Sequence, residues 1–206
     1  MSAVHAESST TTGPELIARA RSLTPFLAEH APVVEKQRKP VDAVIKAIEE
    51  AEIYKLMVPR RYGGLELDMD TFFEVGVALG EGDASAAWVT DFYIEHNWIL
   101  SQFPESFQKE IFADRTYILA PAMVALGGKA IKEDGGYRVS GRWQWASGIV
   151  HADWVIPAAL DVSEDGKPNP LWFALPTSEV TVEDVWFVDG MSGTGSSDVI
   201  LDDVFI

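Results

Sequence analysis

GRWQWASG, residues 141–148, is the most informative stretch of the chain. From Tyr137 to Trp145, large apolar residues alternate with polar or small ones, which is the periodicity of a β-strand. The strand runs into residues 146–148, whose small side chains let another group approach the backbone closely. Two indoles beside a hydroxyl would make a wall for a flat ring, with Ser147 as donor or acceptor at its edge. The alternative is ordinary packing, because strand tryptophans usually fill a core and Ser-Gly usually marks a turn.

The composition is that of a globular protein without cysteine chemistry. The 206 residues are 47% hydrophobic, which is enough for one large or two small domains with their own cores. Cysteine is absent, which excludes disulfides and thiolate-ligated metals and fits a cytoplasmic protein. The sequence has no apolar stretch long enough for a membrane span and no signal-peptide core, so no membrane association is predicted.

The formal charge of −16 argues against nucleic acid or an anionic membrane as a partner. Basic residues cluster loosely at positions 36–39 and 60–61, where solvated helix ends and a loop are the simpler explanation. The four histidines lack metal-ligand spacing, so no metal site is predicted. Gly-Thr-Gly at 193–195 has the glycine spacing of a dinucleotide loop, but no helix follows it.

The chain divides into a tail, a helical part and a β part. Residues 1–13 are rich in Ser, Thr and Ala and are predicted to be a disordered tail. In residues 14–115, apolar residues recur every three or four positions, which predicts a helical N-terminal domain. In residues 116–206 the period becomes two, which predicts a mainly antiparallel β domain, a barrel or sandwich. Turns are predicted at Asp134-Gly135-Gly136 and at residues 165–168. The predicted strands are residues 117–121, 129–133, 137–145, 154–160, 171–175, 180–187 and 199–206.

A longer helix is predicted from about residue 84 to residue 103. Trp88, Phe92 and His96 follow one another at intervals of four and share its apolar face. A lone histidine on such a face is more often a core residue bonded to a backbone carbonyl than a ligand.

Three motifs resemble the acyl-CoA dehydrogenase superfamily. GRWQWASG, followed by HADW at 151–154, is similar to its central-domain segment, and closest to the branch of two-component flavin-dependent monooxygenases typified by aromatic hydroxylases. VPRRYGG at 58–64 and GMSGTGSSDVILDDVFI at 190–206 resemble two further recurrent segments. The resemblance covers nearly all of the chain, but only the N-terminal and middle domains of a family member. The family's C-terminal helical bundle is absent from the chain.

Residues 119–128, LAPAMVALGG, separate the two branches. Acyl-CoA dehydrogenases carry threonine-glutamate-proline and then alanine-glycine-serine-aspartate at this position, and the chain lacks the glutamate and the serine-aspartate pair. The hydroxylase branch keeps an alanine-proline, here Ala120 and Pro121. The resemblance implies that these two residues contact the pyrimidine side of a flavin.

The resemblance also implies a flavin site around Ser147. Trp145 is expected to pack on the isoalloxazine ring, and the Ser147 hydroxyl is expected to bond N5 as a catalytic residue. Ala146 and Gly148 would add backbone contacts.

For the substrate, the resemblance implies that His96 lies beside a phenol as a catalytic residue. A histidine side chain in this position would accept the phenolic proton or orient the ring. Trp88 and Phe92 are expected to complete the apolar substrate pocket.

The implied function is that of the oxygenase component of a two-component flavin-dependent monooxygenase. A separate flavin reductase would supply reduced FMN or FAD, and O2 would be used to hydroxylate an aromatic or similar small substrate. The full-length form is expected to be a homotetramer. Two alternatives stay open: an acyl-CoA dehydrogenase or oxidase-like flavoenzyme, whose catalytic carboxylate would lie beyond Ile206, and an inactive truncated fragment acting by association.

Overall fold

A computed structural model describes residues 11–163 and 169–206. The predicted disorder of residues 1–10 and the predicted turn at 165–168 lie outside the described residues. Within them, five α-helices precede seven β-strands, which confirms the predicted α+β class. No helix in the described part of the chain is long and apolar enough to cross a bilayer.

The helices occupy the first half of the chain. They are α1 (Gly13–Gln37), α2 (Asp42–Glu50), α3 (Met69–Gly80), α4 (Ala84–Leu100) and α5 (Glu105–Ile111). Helix α1 begins at Gly13, inside the predicted tail, because the Glu15 carboxylate accepts the backbone N–H of Thr12 at 2.7 Å and caps the first turn. Pro25 and Pro32 lie within α1 without ending it. Buried side chains of α1 to α4 form the helical core.

The strands form a mixed sheet in the order β4-β3-β1-β2-β7-β6, with β5 paired to β3. They are β1 (Ala122–Glu133), β2 (Gly136–Ala146), β3 (Trp154–Asp161), β4 (Asn169–Trp172), β5 (Leu175–Pro176), β6 (Thr181–Glu183) and β7 (Ser197–Phe205). The predicted hairpin is confirmed, because β1 and β2 pair antiparallel across Asp134 and Gly135. The β1–β3 pair is parallel, and the other described pairs are antiparallel.

The first predicted strand, residues 117–121, is wrong. This segment is extended but is not a strand. The side chain of Asn97 on α4 bonds both backbone groups of Ile118, and backbone N–H groups of residues 153, 154 and 156 donate to the Leu119 and Pro121 carbonyls. Asn97 Nδ2 donates to the Ile118 carbonyl at 3.0 Å, and Asn97 Oδ1 accepts the Ile118 N–H at 2.9 Å. The segment joins the helices to the sheet through a shared apolar cluster that includes Ile118, Ala120 and Ile156.

Candidate functional site

A cavity of about 430 Å³ lies between α4 and the end of β2. Its volume falls within the roughly 300–1,000 Å³ typical of small-molecule sites. Trp88 and Phe92 of α4 line one side, and Trp145 lines another. Hydroxyl groups, including that of Ser147, form one polar edge, and the described lining residues are all uncharged. The cavity therefore suits a flat, largely apolar ligand with a hydrogen-bonding group at one edge.

Trp145 reaches the cavity because β2 is irregular at this point. The register between β2 and β7 shifts between Trp143 and Ala146, which marks a β-bulge. Trp145 has a φ of 63°, a left-handed conformation that is rare for a bulky residue. Its backbone N–H donates to Asp198 Oδ1 at 3.2 Å, which helps to hold this conformation.

The bulge separates the two tryptophans that the sequence pattern groups together. The Trp143 side chain is fully buried, and its indole N–H donates to the Ala158 carbonyl at 2.7 Å. The Trp145 side chain is 59% exposed and lines the cavity. Core packing therefore applies to Trp143, whereas Trp145 forms part of the cavity wall.

Ser147 lies at the polar edge within a chain of hydroxyl groups. Its Oγ is 2.8 Å from Ser196 Oγ, which is 2.7 Å from Thr194 Oγ1. Thr194 Oγ1 donates to the Met191 carbonyl at 2.9 Å. The indole N–H of Trp88 donates to Ser147 Oγ at 3.2 Å, so the helix and the sheet meet at this hydroxyl.

Gly148 fixes the backbone just behind Ser147. Its φ of 80° is left-handed, and an added Cβ would lie 2.6 Å from the Tyr93 hydroxyl oxygen and 2.8 Å from Val89. Burial raises the pKa of Tyr93, so its hydroxyl stays protonated and donates to the Gly148 carbonyl. The Gly148 N–H donates to the Thr194 carbonyl at 3.0 Å. Ala146, on the other side of Ser147, is buried and pairs with Ser197 of β7.

His96 does not line the cavity. Its ring stacks behind Phe92, with centroids 5.1 Å apart, and Phe92 in turn packs against Trp88. The imidazole is buried, and its Nδ1 lies 2.7 Å from the Ala120 carbonyl and 2.9 Å from the Ala122 N–H. Which of these two groups it bonds depends on the tautomer. In either case His96 bonds the backbone that leads into β1.

Ala120 and Pro121 are buried and do not line the cavity either. The residues that follow them, 122–125 at the start of β1, do line it. The residues of this segment that line the cavity therefore begin directly after the two residues that the resemblance names. Of the predicted site residues, the structure brings together Trp88, Phe92, Trp145 and Ser147 at the cavity. In the described chain no group of three acidic or histidine side chains could hold a metal ion.

No family model matches the chain, but curated proteins do. It is 41% identical over 195 residues to a pigment production hydroxylase from Rhodococcus sp., which covers 95% of this chain and 50% of that protein. It is 32% identical over 192 residues to the oxygenase component of an FADH(2)-dependent resorcinol hydroxylase from Rhizobium sp., covering 93% of this chain and 47% of that protein.

Solved structures agree with these relatives. The HsaA monooxygenase from M. tuberculosis superposes with a TM-score of 0.91 at 32% identity, covering 95% of this chain and 54% of that one. XiaF from Streptomyces sp., solved in complex with FADH2 and glycerol, superposes with a TM-score of 0.89 at 35% identity, covering 94% and 49%. The chain is a relative of two-component flavin-dependent oxygenase components. Its fold is acyl-CoA dehydrogenase-like, and it spans about half the length of the curated relatives it matches.

Sequence reasoning missed several cavity residues of this oxygenase relative. Trp186, Met191, Thr194 and Ser196 line the cavity from the segment before β7. Residues 190–206 resemble a recurrent segment of the superfamily, but this resemblance does not indicate which of their side chains line a cavity. The hydroxyl-rich stretch GTGSS, residues 193–197, was the available signal, but nothing in the sequence pairs residues 194 and 196 with residue 147.

Arg38 holds the segment that precedes β7 against the end of α1. Its guanidinium donates to Asp184 Oδ1 at 2.8 Å and to the Trp186 carbonyl at 2.9 Å. It also lies 4.0 Å from the ring centroid of Phe187. Because Arg38 and Asp184 are far apart in sequence, periodicity carries no trace of this contact.

Proposed function

We propose that the protein is the oxygenase component of a two-component flavin-dependent monooxygenase that hydroxylates an aromatic or similar small substrate. The observation that carries the proposal is the cavity itself, in which an exposed indole faces an apolar helix wall and a serine hydroxyl marks the edge. Relatives named as flavin-dependent oxygenase components support it. A flavin reductase is the proposed partner and source of reduced FMN or FAD.

The residues present fit a flavin ring. Trp145 would pack against the ring, and Ser147 would meet its N5 edge, flanked by the backbone of Ala146 and Gly148. The bound flavin supplies the oxygen-transfer chemistry, while the protein binds, orients and keeps water out. Ala120 and Pro121 would act by fixing the start of β1, because residues 122–125 are the ones that face the cavity.

The helix wall is the proposed substrate side. Trp88 and Phe92 offer aromatic surface to a small aromatic ring. His96 lies behind Phe92 and bonds the backbone at Ala120 or Ala122, so we assign it to positioning this wall and strand β1. A direct catalytic contact of His96 with a phenol would need Phe92 to move aside.

The proposed organisation follows the change of element type. A helical domain of residues 14–115 would carry the substrate side, and a β domain of residues 116–206 would carry the flavin side. We propose a cytoplasmic protein whose full-length form is a homotetramer. Exposed apolar side chains on α3 support assembly, since Phe73 and Val77 are both more than half exposed.

The test is an anaerobic titration of the full-length gene product with reduced and with oxidised flavin. Tighter binding of reduced flavin is expected, together with hydroxylated product when a reductase is added. Retention of oxidised flavin would instead favour the dehydrogenase-like alternative, and no binding of either form would favour an inert fragment.

A pair of tryptophan variants ties the titration to this cavity. Trp145→Ala is expected to weaken flavin binding at least tenfold, because it removes the aromatic wall. Trp172→Ala is the matched control, since that indole is also exposed but does not line the cavity. Equal effects of the two substitutions would contradict the proposed site.

A further inference from the structure

We propose that Thr194 and Ser196 are positioning residues that orient the Ser147 hydroxyl, so that Ser147 meets a ligand as a hydrogen-bond acceptor and selects reduced over oxidised flavin. The three side chains form a directed relay of hydroxyl groups. The inference rests on the proposed function, because it concerns the flavin-facing side of the same cavity. It adds two residues and a direction to that site.

The direction of the relay is set at Thr194. Its Oγ1 lies 2.9 Å from the Met191 carbonyl oxygen. A carbonyl can only accept, and a threonine hydroxyl has a single proton. Two N–H groups share this carbonyl, those of Thr194 at 3.1 Å and of the Trp186 indole at 3.0 Å. If the Thr194 hydroxyl proton pointed away from this carbonyl, Thr194 Oγ1 and the Met191 carbonyl oxygen would lie 2.9 Å apart with no proton between them, and they would repel each other. The Thr194 proton therefore lies between these two oxygens.

The direction then passes along the chain of hydroxyls. Since the Thr194 proton is committed, Ser196 donates to Thr194 across 2.7 Å. The single proton of Ser196 is thereby used, so Ser147 donates to Ser196 across 2.8 Å. The Trp88 indole N–H takes one lone pair of Ser147 Oγ at 3.2 Å. The second lone pair of Ser147 Oγ remains available to accept a hydrogen bond from a ligand.

Burial keeps this arrangement from reversing. The exposed fractions of the three residues are 5% for Ser147, 2% for Ser196 and 1% for Thr194. A buried hydroxyl that loses its partner has no solvent to replace it. A reversed relay would leave the oxygens of Thr194 and Met191 in contact with no proton between them. The relay therefore has a fixed direction, and Ser147 Oγ presents an acceptor lone pair to the cavity.

An acceptor at this position distinguishes the two oxidation states of a flavin. Reduced flavin carries a proton on N5 and donates, whereas N5 of oxidised flavin has only a lone pair. Ser147 oriented by the relay pairs with the first and opposes the second. Breaking the relay frees the Ser147 proton, which lets the hydroxyl turn and donate to oxidised N5.

The test is Thr194→Val in the full-length gene product, with FAD and chemically reduced FAD as probes under anaerobic conditions. Valine keeps the shape and removes the hydroxyl. The ratio of the dissociation constant for oxidised FAD to that for reduced FAD is expected to fall about tenfold, equivalent to about 1.4 kcal/mol. Most of the change should be tighter binding of oxidised FAD. Ser196→Ala should shift the ratio in the same direction, and it serves if the valine variant does not fold.

Thr90→Val is the matched control. Thr90 is equally buried and also donates to a backbone carbonyl, that of Ala86 at 2.7 Å, but it does not line the cavity. It should leave the ratio unchanged. If both relay variants leave the ratio of the two dissociation constants unchanged, whether or not the affinities for both forms of FAD fall together, the relay is overturned. The proposed function is then left intact. If the unaltered protein binds neither form, the proposed function fails and the relay has no flavin to select.

Discussion

The polar edge of the cavity and the interface between α3 and α4 differ in whether their buried polar groups have hydrogen-bond partners. At the cavity, the hydroxyls of Ser147, Ser196 and Thr194 all have hydrogen-bond partners. Between α3 and α4, Asp91 Oδ1 is shielded from solvent and has no hydrogen-bond partner among the described residues. The hydroxyls of the first region are paired, whereas the carboxylate of the second carries an uncompensated desolvation cost. In this fold a buried polar group therefore avoids a cost in stability only where its hydrogen bonds are satisfied.

The largest expected effect comes from disturbing the completed region. Gly148→Ala adds a Cβ 2.6 Å from the Tyr93 hydroxyl oxygen, at a left-handed φ. Overpacking and backbone strain together should lower the free energy of unfolding by about 2–5 kcal/mol, measured by chemical denaturation. Gly190→Ala is the matched control, because no atom lies within 4 Å of its added Cβ. If both variants lose the same stability, the close packing behind Ser147 is unimportant.

The incomplete region predicts a pH-dependent effect. Burial, and to a lesser extent Glu95, raises the pKa of Asp91 from 3.8 to about 7. The folded state thus binds this proton more tightly than the unfolded state does. The stability from this group is present below about pH 4 and is lost as the pH rises to about 7.

Asp91→Asn removes this dependence. The substitution should raise the free energy of unfolding by about 2 kcal/mol at pH 8, and by much less at pH 4. Thermal melts of the variant and the unaltered protein at the two pH values measure the difference. A loss of stability at pH 8 would mean that the carboxylate has a partner after all, and the contrast between the two regions would disappear.

The smallest change in binding is expected at Ser147. Ser147→Ala removes one proposed hydrogen bond to the flavin, worth roughly 0.5–1.5 kcal/mol, so the affinity for reduced flavin should fall only a few-fold. The yield of hydroxylated product per reduced flavin should fall further, because small barrier changes set the division between product and hydrogen peroxide. The assay compares peroxide released with product formed at equal flavin supply. An unchanged yield would reduce Ser147 to a structural residue.

Sequence patterns predicted the parts of the molecule that depend on local periodicity. The face of α4 that carries Trp88 and Phe92 follows from spacing alone, as does the hairpin at Asp134 and Gly135. The bulge at Trp145 was not predicted, because simple alternation assumes a regular strand. Regular alternation would place Trp143 and Trp145 on the same face of the strand, and the bulge separates them.

The remaining errors come from contacts between distant residues. The segment of residues 117–121 looks like a strand, but in its middle the side chain of Asn97 on α4 bonds both backbone groups of Ile118. The relay joins Ser147 to Ser196, and no local pattern couples positions so far apart. The resemblance located Ser147, but the hydroxyls behind it became visible only in three dimensions.

The strand order has a consequence for synthesis of the chain. Strand β2 lies between β1, its hairpin neighbour, and β7, the last strand of the chain. The hairpin can close as soon as residue 146 has emerged, whereas the other edge of β2 waits for residues 197–205. Ser147 therefore leaves the ribosome well before Ser196 and Thr194, and the cavity edge is completed only after residue 196 has emerged. A nascent chain stalled before residue 190 should hold a folded hairpin with an unfinished site.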